Sequence, residues 1–172
     1  MILLVEDDPQ DAELTLNALG SADPPPEIIH LHDGAEALDY LFRRGAYSAR
    51  ETSVPAVMLL DLKMPRVDGL EVLRQVKGDR ELRSMPVVVL TSSREEKDVR
   101  QTYALGANAY VVKPVRFESF LEAIKAVGAF WAVLNEPPPV CGSSQSTEPF
   151  VLSSSKHEQQ RRSPFDRRRA NG

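Results

Sequence analysis

Side chains that can bind a cation or a phosphoryl group stand directly after short apolar segments of this sequence. They are Glu6 and Asp7 after residues 2–5, Asp61 after 57–60, Thr91 after 87–90 and Lys113 after 109–112. Three carboxylates in one place repel each other by roughly 4 kcal/mol per contact at about 4 Å and an effective dielectric of about 20. A divalent cation removes that repulsion, and carboxylate oxygens suit Mg²⁺. These residue types therefore predict a magnesium site.

The charges of this predicted site also favour phosphoryl transfer. Three carboxylates, the Lys113 ammonium and a divalent cation sum to zero, so a carboxylate there can accept a dianionic phosphoryl group. Asp61, which ends the central apolar segment, is the predicted nucleophile. Thr91 is predicted to hydrogen-bond phosphoryl oxygens, and Lys113 to pair first with Asp61 and then with the phosphoryl group. The predicted metal ligands are Glu6, Asp7, Asp61 and the backbone carbonyl of Lys63.

These side chains can act together only if the fold brings the apolar segments side by side. Residues 57–60 are apolar throughout and lie between Pro55 and Pro65, which is typical of a short buried strand. A strand that is apolar on both faces belongs to a parallel sheet covered by helices. An acid at the end of such a strand can instead cap the next turn, and the strand alone leaves this structural role for Asp61 open.

Strand-like and helix-like segments alternate five times between residues 1 and 134. The helix-like segments are amphipathic, and the first, third and fourth of them end at Gly20, Gly78 and Gly106. The alternation predicts an α/β fold with three layers, in which a doubly wound, parallel, five-stranded sheet carries helices on both faces. Ligands bind such sheets at the carboxyl ends of the strands. This fold would bring the polar side chains together.

Composition limits the classes of protein to which the chain can belong. Its 172 residues suit one domain with an extension, and 42% hydrophobic residues suffice for a compact core. The single cysteine, Cys141, excludes an internal disulfide and suits a reducing cytoplasm. No apolar run approaches the roughly 20 residues of a membrane span, and residues 1–5 lack the basic start of a signal peptide. We therefore expect a cytoplasmic protein without a membrane segment.

Charge is unevenly distributed along the chain. Residues 1–134 carry 15 Lys and Arg against 21 Asp and Glu, whereas residues 135–172 carry 6 against 4. We interpret residues 1–134 as one domain and residues 135–172, rich in Pro, Ser and Arg, as a largely disordered or extended arm and tail. An acidic domain argues against direct DNA binding. The tail arginines are more typical of a solvated segment than of a nucleic-acid arm.

Four motifs at the strand ends are similar to those of a known family. The chain resembles a two-component response regulator receiver domain in Val-Glu-Asp-Asp-Pro (5–9), Leu-Asp-Leu-Lys-Met-Pro-Arg-Val-Asp-Gly (60–69), Leu-Thr-Ser-Ser (90–93) and Val-Lys-Pro (112–114). The resemblance covers residues 1–134 and implies a flavodoxin-like (βα)5 fold with strand order 2-1-3-4-5. It also implies that Asp61 is phosphorylated from the phosphohistidine of a sensor histidine kinase. Lys63 and Ser93 are then expected to line the path of water to the phosphoryl group.

The same resemblance implies roles for other residues. Glu6 and Asp7 correspond to the acidic pair of the family, with Glu in first place where Asp is commoner. Thr91 corresponds to the switch hydroxyl, and Tyr110 to the aromatic residue that turns inward when Thr91 is drawn to the phosphoryl group. Lys113 and Pro114 correspond to the Lys-Pro pair of the family, so the resemblance implies a cis peptide, whereas the sequence alone shows only that an X–Pro bond can be cis. Output is expected through an altered protein–protein interface.

Two further segments resemble single-domain regulators that are paired with phytochromes. They are residues 37–47 and residues 130–139. This resemblance implies a phytochrome kinase as partner and a homodimer formed through the last helix and the arm after it. Phe130 and Trp131 are the candidate interface residues, because few helical turns follow that could cover them. Packing in the core of the same chain is the alternative for both.

The sequence leaves three other functions to be weighed. A pseudo-receiver, which binds partners without phosphate, would lack one of the acids, the hydroxyl or the lysine, and all are present. An aspartyl-phosphate phosphatase usually has two acids two residues apart after its first strand, whereas Glu6 and Asp7 are adjacent. A nucleic-acid adaptor acting through residues 156–172 would show salt-sensitive RNA binding. We therefore predict a signalling protein that is not an enzyme.

Overall fold

The computed structural model describes residues 1–51 and 53–136, so the arm and tail predicted for residues 135–172 lie outside the described residues except for 135 and 136. The strands are β1 (Ile2–Val5), β2 (Ile28–Leu31), β3 (Val57–Leu60), β4 (Val87–Thr91) and β5 (Ala109–Val112). The helices are α1 (Pro9–Gly20), α2 (Gly34–Leu41), α3 (Gly69–Gly78), α4 (Glu96–Ala104) and α5 (Phe117–Ala129). Strands and helices alternate as the sequence predicts. None of the helices in this part of the chain is long and apolar enough to cross a membrane.

The five strands form one parallel sheet in the order β2-β1-β3-β4-β5, which is the predicted order. β1 pairs with β3 in the register that places Val5 opposite Leu60. β4 pairs with β5 so that Thr91 lies opposite Val112. The direction in which strands are added reverses at β1 and β3, and such a switch point opens a crevice at the carboxyl ends of the strands.

Helices bury the sheet on both faces, as the apolar strands predict. Every residue of β1 and of β3 is buried. Leu3 and Leu60 belong to one apolar core, which lies between the sheet and the helices α2 and α3. Leu4 and Leu59 belong to a second core, which lies between the sheet and the helices α1 and α5. Adjacent residues of a strand point to opposite faces, so β1 and β3 each supply both cores.

Aspartates begin the first three helices. Asp8 accepts hydrogen bonds from the first turn of α1, Asp33 from α2 and Asp68 from α3. Such a capping carboxylate contributes about 1 kcal/mol to the stability of a helix. The cap of α3 is therefore Asp68, and Asp61 at the end of β3 caps none of the described helices.

The last helix changes its hydrogen-bond pattern before the described chain ends. It is α-helical over α5 and π-helical over Phe130–Leu134. The amide of Asn135 donates to the carbonyl of Phe130 at 2.8 Å, five residues back. This wider turn carries the two aromatic residues that were predicted as an interface.

Candidate functional site

Backbone hydrogen bonds beyond the strands fix the residues at the carboxyl edge of the sheet. The amide of Glu6 donates to the carbonyl of Leu31 at 3.1 Å, and the amide of Asp61 donates to the carbonyl of Val5 at 3.0 Å. The amide of Lys113 donates to the carbonyl of Thr91 at 2.8 Å. These bonds continue the sheet by one residue, so the predicted site residues lie at one edge on rigid backbone.

Three carboxylates converge at this edge. Oxygens of Glu6, Asp7 and Asp61 all lie within 4.8 Å of one another. Glu6 and Asp61 are buried, whereas Asp7 is exposed to solvent. A set of oxygen donors that is open on one side suits Mg²⁺, which keeps several waters when a protein binds it. The residues present therefore fit a divalent cation.

Burial makes the charge of Glu6 costly. Its side chain is 1% exposed, and burial raises the pKa of Glu6 to about 7 against the opposing effect of Lys113.

The carbonyl of Glu6 lies 2.9 Å from Nε2 of His30, whose ring packs against that of His32 with centroids 4.4 Å apart. His30 thus has the structural role that a histidine on a strand usually has, and a cation beside Glu6 would stabilise its ionised form.

Lys113 is the cation that already lies in this site, with a side chain only 9% exposed. Its Nζ donates to Oε2 of Glu6 at 2.7 Å and to Oδ2 of Asp11 at 2.7 Å, whereas Oδ2 of Asp61 is 3.6 Å away. Burial lowers the pKa of Lys113, but the hydrogen bonds to Asp11 and Glu6 outweigh it and hold the pKa above its ordinary value. The lysine is therefore charged. It forms the predicted ion pair with Asp61 at 3.6 Å, but its two short hydrogen bonds go to Glu6 and Asp11.

Asp11 is the acid that the sequence analysis missed. It lies in the first turn of α1, where an acid is usually explained by the helix dipole. The available signal was positional, because α1 begins four residues after β1 ends and its first turn must lie near the same sheet edge.

Asp61 is fixed both through its carboxylate and through its backbone. One carboxylate oxygen accepts a hydrogen bond from the amide of Leu62 at 2.7 Å. Its backbone is fixed by close packing, because a Cβ atom on Gly69 would lie 2.1 Å from the carbonyl oxygen of Asp61. The loop between them thus returns against the strand end that carries the carboxylate. Asp61 is held rigidly with its other oxygen facing Lys113.

Thr91, Ser93 and Tyr110 form a connected set at the end of β4. Thr91 is fully buried, and its Oγ1 accepts from the amide of Ser93 at 3.3 Å. The hydroxyl of the half-buried Tyr110 donates to the carbonyl of Ser93 at 3.1 Å. Ser93 is 4% exposed and donates its own hydroxyl to Asp98. That hydroxyl is therefore hydrogen-bonded to α4, and the expected place of Ser93 beside the path of water stays a prediction.

The outcomes for the remaining predicted residues differ. Lys63 lies in the exposed loop after Asp61, and the role of its carbonyl stays a prediction. The Lys113–Pro114 peptide is trans, so the expectation of a cis bond was wrong, and the cis peptide of the described chain joins Asp23 to Pro24. A cis or trans X–Pro bond is decided by tertiary contacts within about 1 kcal/mol, which the motif alone does not specify.

The two aromatic residues after α5, Phe130 and Trp131, differ in burial. Phe130 is 47% exposed, whereas Trp131 is half-buried against the core under α1 and α5. Their rings meet edge to face with centroids 4.9 Å apart. Trp131 therefore anchors the segment while Phe130 presents an apolar surface.

Comparison with known proteins identifies the family. A model of the response regulator receiver domain matches residues 2–125. The chain therefore belongs to the response regulator receiver domain family, and its fold is the one described above. Membership implies a signalling protein of a phosphorelay that interacts with a histidine kinase.

Individual relatives are response regulators, and two of them, RcpA and RtBRR, are phytochrome regulators. The chain is 37% identical to the response regulator Rcp1 of Synechocystis sp. over 131 residues, which cover 76% of this chain and 88% of Rcp1. The bacteriophytochrome response regulator RtBRR is 62% identical in sequence. The match to its structure covers 80% of this chain and 83% of the RtBRR chain, with a TM-score of 0.64. The phosphorylated cyanobacterial phytochrome response regulator RcpA is 37% identical, with coverage of 80% and 97% and a TM-score of 0.76. A structure of Rcp1 with bound Mn²⁺, 36% identical with coverage of 80% and 98% and a TM-score of 0.75, shows that this relative takes a divalent metal.

Proposed function

We propose that this chain accepts a phosphoryl group on Asp61 from the phosphohistidine of a sensor histidine kinase. In this transfer the P–N bond of phosphohistidine breaks, its electron pair returns to the imidazole, and a P–O bond forms to a carboxylate oxygen of Asp61. The observation that carries the proposal is the placement of Asp61. Its carboxylate is buried and caps none of the described helices. It lies within 4.8 Å of the carboxylates of Glu6 and Asp7, and 3.6 Å from Nζ of Lys113.

We propose Mg²⁺ as the cofactor, held by Glu6, Asp7, Asp61 and the backbone carbonyl of Lys63. When bound, the cation would neutralise charge on the phosphoryl oxygens. The protein itself positions the acceptor and binds the phosphoryl oxygens. The rigid end of β3 holds Asp61 in place, and the ammonium of Lys113 is near enough to bond a phosphoryl oxygen. Thr91 is proposed to hydrogen-bond the phosphoryl group from the end of β4.

Thr91 and Tyr110 are proposed to convert phosphorylation into a change of surface. Both side chains form hydrogen bonds with the backbone of Ser93. Movement of Thr91 toward Asp61 would therefore shift a residue that Tyr110 also contacts. The surface concerned runs from α4 across β5 to α5. Phosphorylation adds nearly two negative charges, which is sufficient to bias two alternative packings of this region.

The proposed partners follow from the relatives and from the charge. A phytochrome kinase is the proposed phosphoryl donor, because RcpA and RtBRR are described as phytochrome regulators. We propose a homodimer through α5, Phe130, Trp131 and the following arm, with residues 1–134 as the receiver domain and 135–172 as the arm and tail. The acidic domain supports a regulator without direct DNA binding, and the adjacent Glu6 and Asp7 support an acceptor rather than a turnover enzyme.

Labelling with acetyl phosphate tests the acceptor. Wild-type protein should take up one phosphoryl group in the presence of Mg²⁺ and none in EDTA, and Asp61→Asn should remain unlabelled. Asp68→Asn is the matched control, since it removes a carboxylate from the same loop and asparagine caps helices as well as aspartate does. Equal labelling of Asp61→Asn would contradict the proposal, and sustained phosphate release from many esters would favour a phosphatase instead.

Light scattering after size exclusion tests the assembly. The wild-type protein should elute as a dimer, and Phe130→Ser should shift it toward the monomer because Phe130 is exposed in the single chain. Tyr103→Ser is the control, since Tyr103 is a similarly exposed aromatic residue on α4. A monomer at all concentrations would contradict the proposed dimer without affecting phosphorylation.

A further inference from the structure

Lys113 is shared between three carboxylates, and one of them does not come from a strand end. Asp11 on α1 lies 2.7 Å from Nζ of Lys113, which is closer than Asp61 at 3.6 Å. The other hydrogen bond of the ammonium goes to Glu6, which is also a proposed metal ligand. The ammonium of Lys113, which is proposed to bond the phosphoryl group, is therefore directed toward α1.

Asp11 is held where it can compete for the lysine. Its amide donates to Oδ1 of Asp8 at 3.0 Å, and its carbonyl accepts from the hydroxyl of the fully buried Thr15 at 2.8 Å. Its carboxylate is 38% exposed, so it is partly solvated. Asp11 is thus a fixed carboxylate on a rigid helix.

The charge of the site changes when Asp11 is included. Glu6, Asp7 and Asp61 balance Lys113 and a divalent cation, so the carboxylate of Asp11 leaves a net charge of −1 before any phosphoryl group arrives. A negative site attracts a cation and repels an anion. The same residue should therefore act in opposite directions on Mg²⁺ and on the phosphoryl group.

We propose that Asp11 is a positioning residue that withholds Lys113 from Asp61 and so weakens binding of the phosphoryl group while strengthening binding of Mg²⁺. The inference rests on the proposed function of Asp61. To bond a phosphoryl oxygen, Lys113 gives up its contact with Asp11, and that exchange opposes phosphorylation. Asp11 thereby sets how readily the acceptor is loaded.

Asp11→Asn tests this role, with beryllofluoride as the phosphoryl mimic. At saturating Mg²⁺, the variant should bind beryllofluoride about fivefold more tightly than wild type, the change expected on removing a half-exposed ion pair. Its affinity for Mg²⁺ alone should fall by about two- to threefold, because one negative charge is lost. Fluorine NMR and titration calorimetry measure the two affinities. The ammonium signal of Lys113 in a ¹⁵N-labelled sample should shift in the variant without any ligand.

Two further variants separate positioning from other causes. Asp11→Glu keeps the charge and should stay close to wild type in both affinities. Glu13→Gln makes the same change of charge at an exposed position of α1 and should alter neither affinity. Weaker binding of both ligands by Asp11→Asn, or equal effects of Asp11→Asn and Glu13→Gln, would overturn the inference. Failure of wild type to bind beryllofluoride would remove the proposed function and the inference together, whereas equal binding by wild type and Asp11→Asn would remove the inference alone.

Discussion

The hydroxyl of Ser93 donates a hydrogen bond to Oδ2 of Asp98 at 2.5 Å. This bond joins the turn after β4 to the first turn of α4, and the carbonyl of the same serine accepts the hydroxyl of Tyr110 from β5. Thr91 contacts the amide of Ser93. One buried residue therefore connects both proposed switch residues to the helix that follows them, and a displacement of Thr91 would reach α4 and β5 through it.

Replacing Ser93 with alanine should lower the free energy of unfolding by about 1–2 kcal/mol, because a buried hydroxyl that bonds a charged acceptor is lost. Asp98→Ala removes the other partner, and the double variant should cost less than the sum of the single changes by about 1 kcal/mol. Urea unfolding measures all three. Ser92→Ala is the control, since Ser92 is exposed and should change stability by less than about 0.5 kcal/mol. Additive costs of Ser93→Ala and Asp98→Ala would show that the two side chains do not act as a pair.

The predictable part of the site is the part that backbone topology determines. Glu6, Asp61, Thr91 and Lys113 were found from the sequence because parallel strands align their carboxyl ends, whatever the side chains do. The contact of Asp11 with Lys113 and the bond from Ser93 to Asp98 were not predicted, because they depend on where a long lysine and a serine hydroxyl point. Such choices are decided by packing and competing acceptors within about 1 kcal/mol, and residue spacing does not contain that information.

The first glycine of α3 should be far less replaceable than the last. A Cβ atom on Gly69 would lie 2.1 Å from the carbonyl oxygen of Asp61 and 2.8 Å from Cα of Leu62, both backbone atoms that side-chain rotation cannot move. Gly69→Ala should therefore cost about 3 kcal/mol or more and reduce acetyl phosphate labelling. A Cβ atom on Gly78 would meet nothing within 4 Å, so Gly78→Ala should be neutral or stabilise by up to about 1 kcal/mol. Equal urea midpoints for the two variants would contradict the close packing of Asp61 and Gly69.

Glu36 should give the protein a measurable sensitivity to acid. Its carboxylate accepts hydrogen bonds from the amide of His32 and the hydroxyl of Tyr47, each at 2.7 Å. Burial raises the pKa of Glu36, but these bonds outweigh it and hold the pKa below its ordinary value of 4.5. The hydrogen bond between Tyr47 and Glu36 also raises the pKa of Tyr47 to about 12.

Because the folded pKa of Glu36 is the lower one, the unfolded chain binds the proton more tightly. The contribution of Glu36 is thus complete above about pH 4.5 and is lost as the pH falls through the folded pKa. Glu36→Gln should flatten this part of the stability curve, by less than about 1 kcal/mol because the pair is near the surface. Tyr47→Phe should produce part of the same flattening, and curves that fall equally in wild type and Glu36→Gln would show that the carboxylate contributes nothing.

Neighbouring aspartates at the end of β1 should respond differently to Mg²⁺. Asp7 contributes an oxygen to the acidic cluster, whereas Asp8 caps α1 through hydrogen bonds to the amides of Gln10 and Asp11. A ligand at about ten times its dissociation constant stabilises the folded state by about 1.4 kcal/mol, so Mg²⁺ should raise the melting temperature of wild type. Asp7→Asn should lose most of that gain because it weakens the cation site. Asp8→Asn carries the same change of charge but keeps the cap, and it should retain the gain. Thermal unfolding with Mg²⁺ and with EDTA makes the comparison. An equal loss of the Mg²⁺-dependent gain in both variants would mean that Mg²⁺ binding depends on net charge alone.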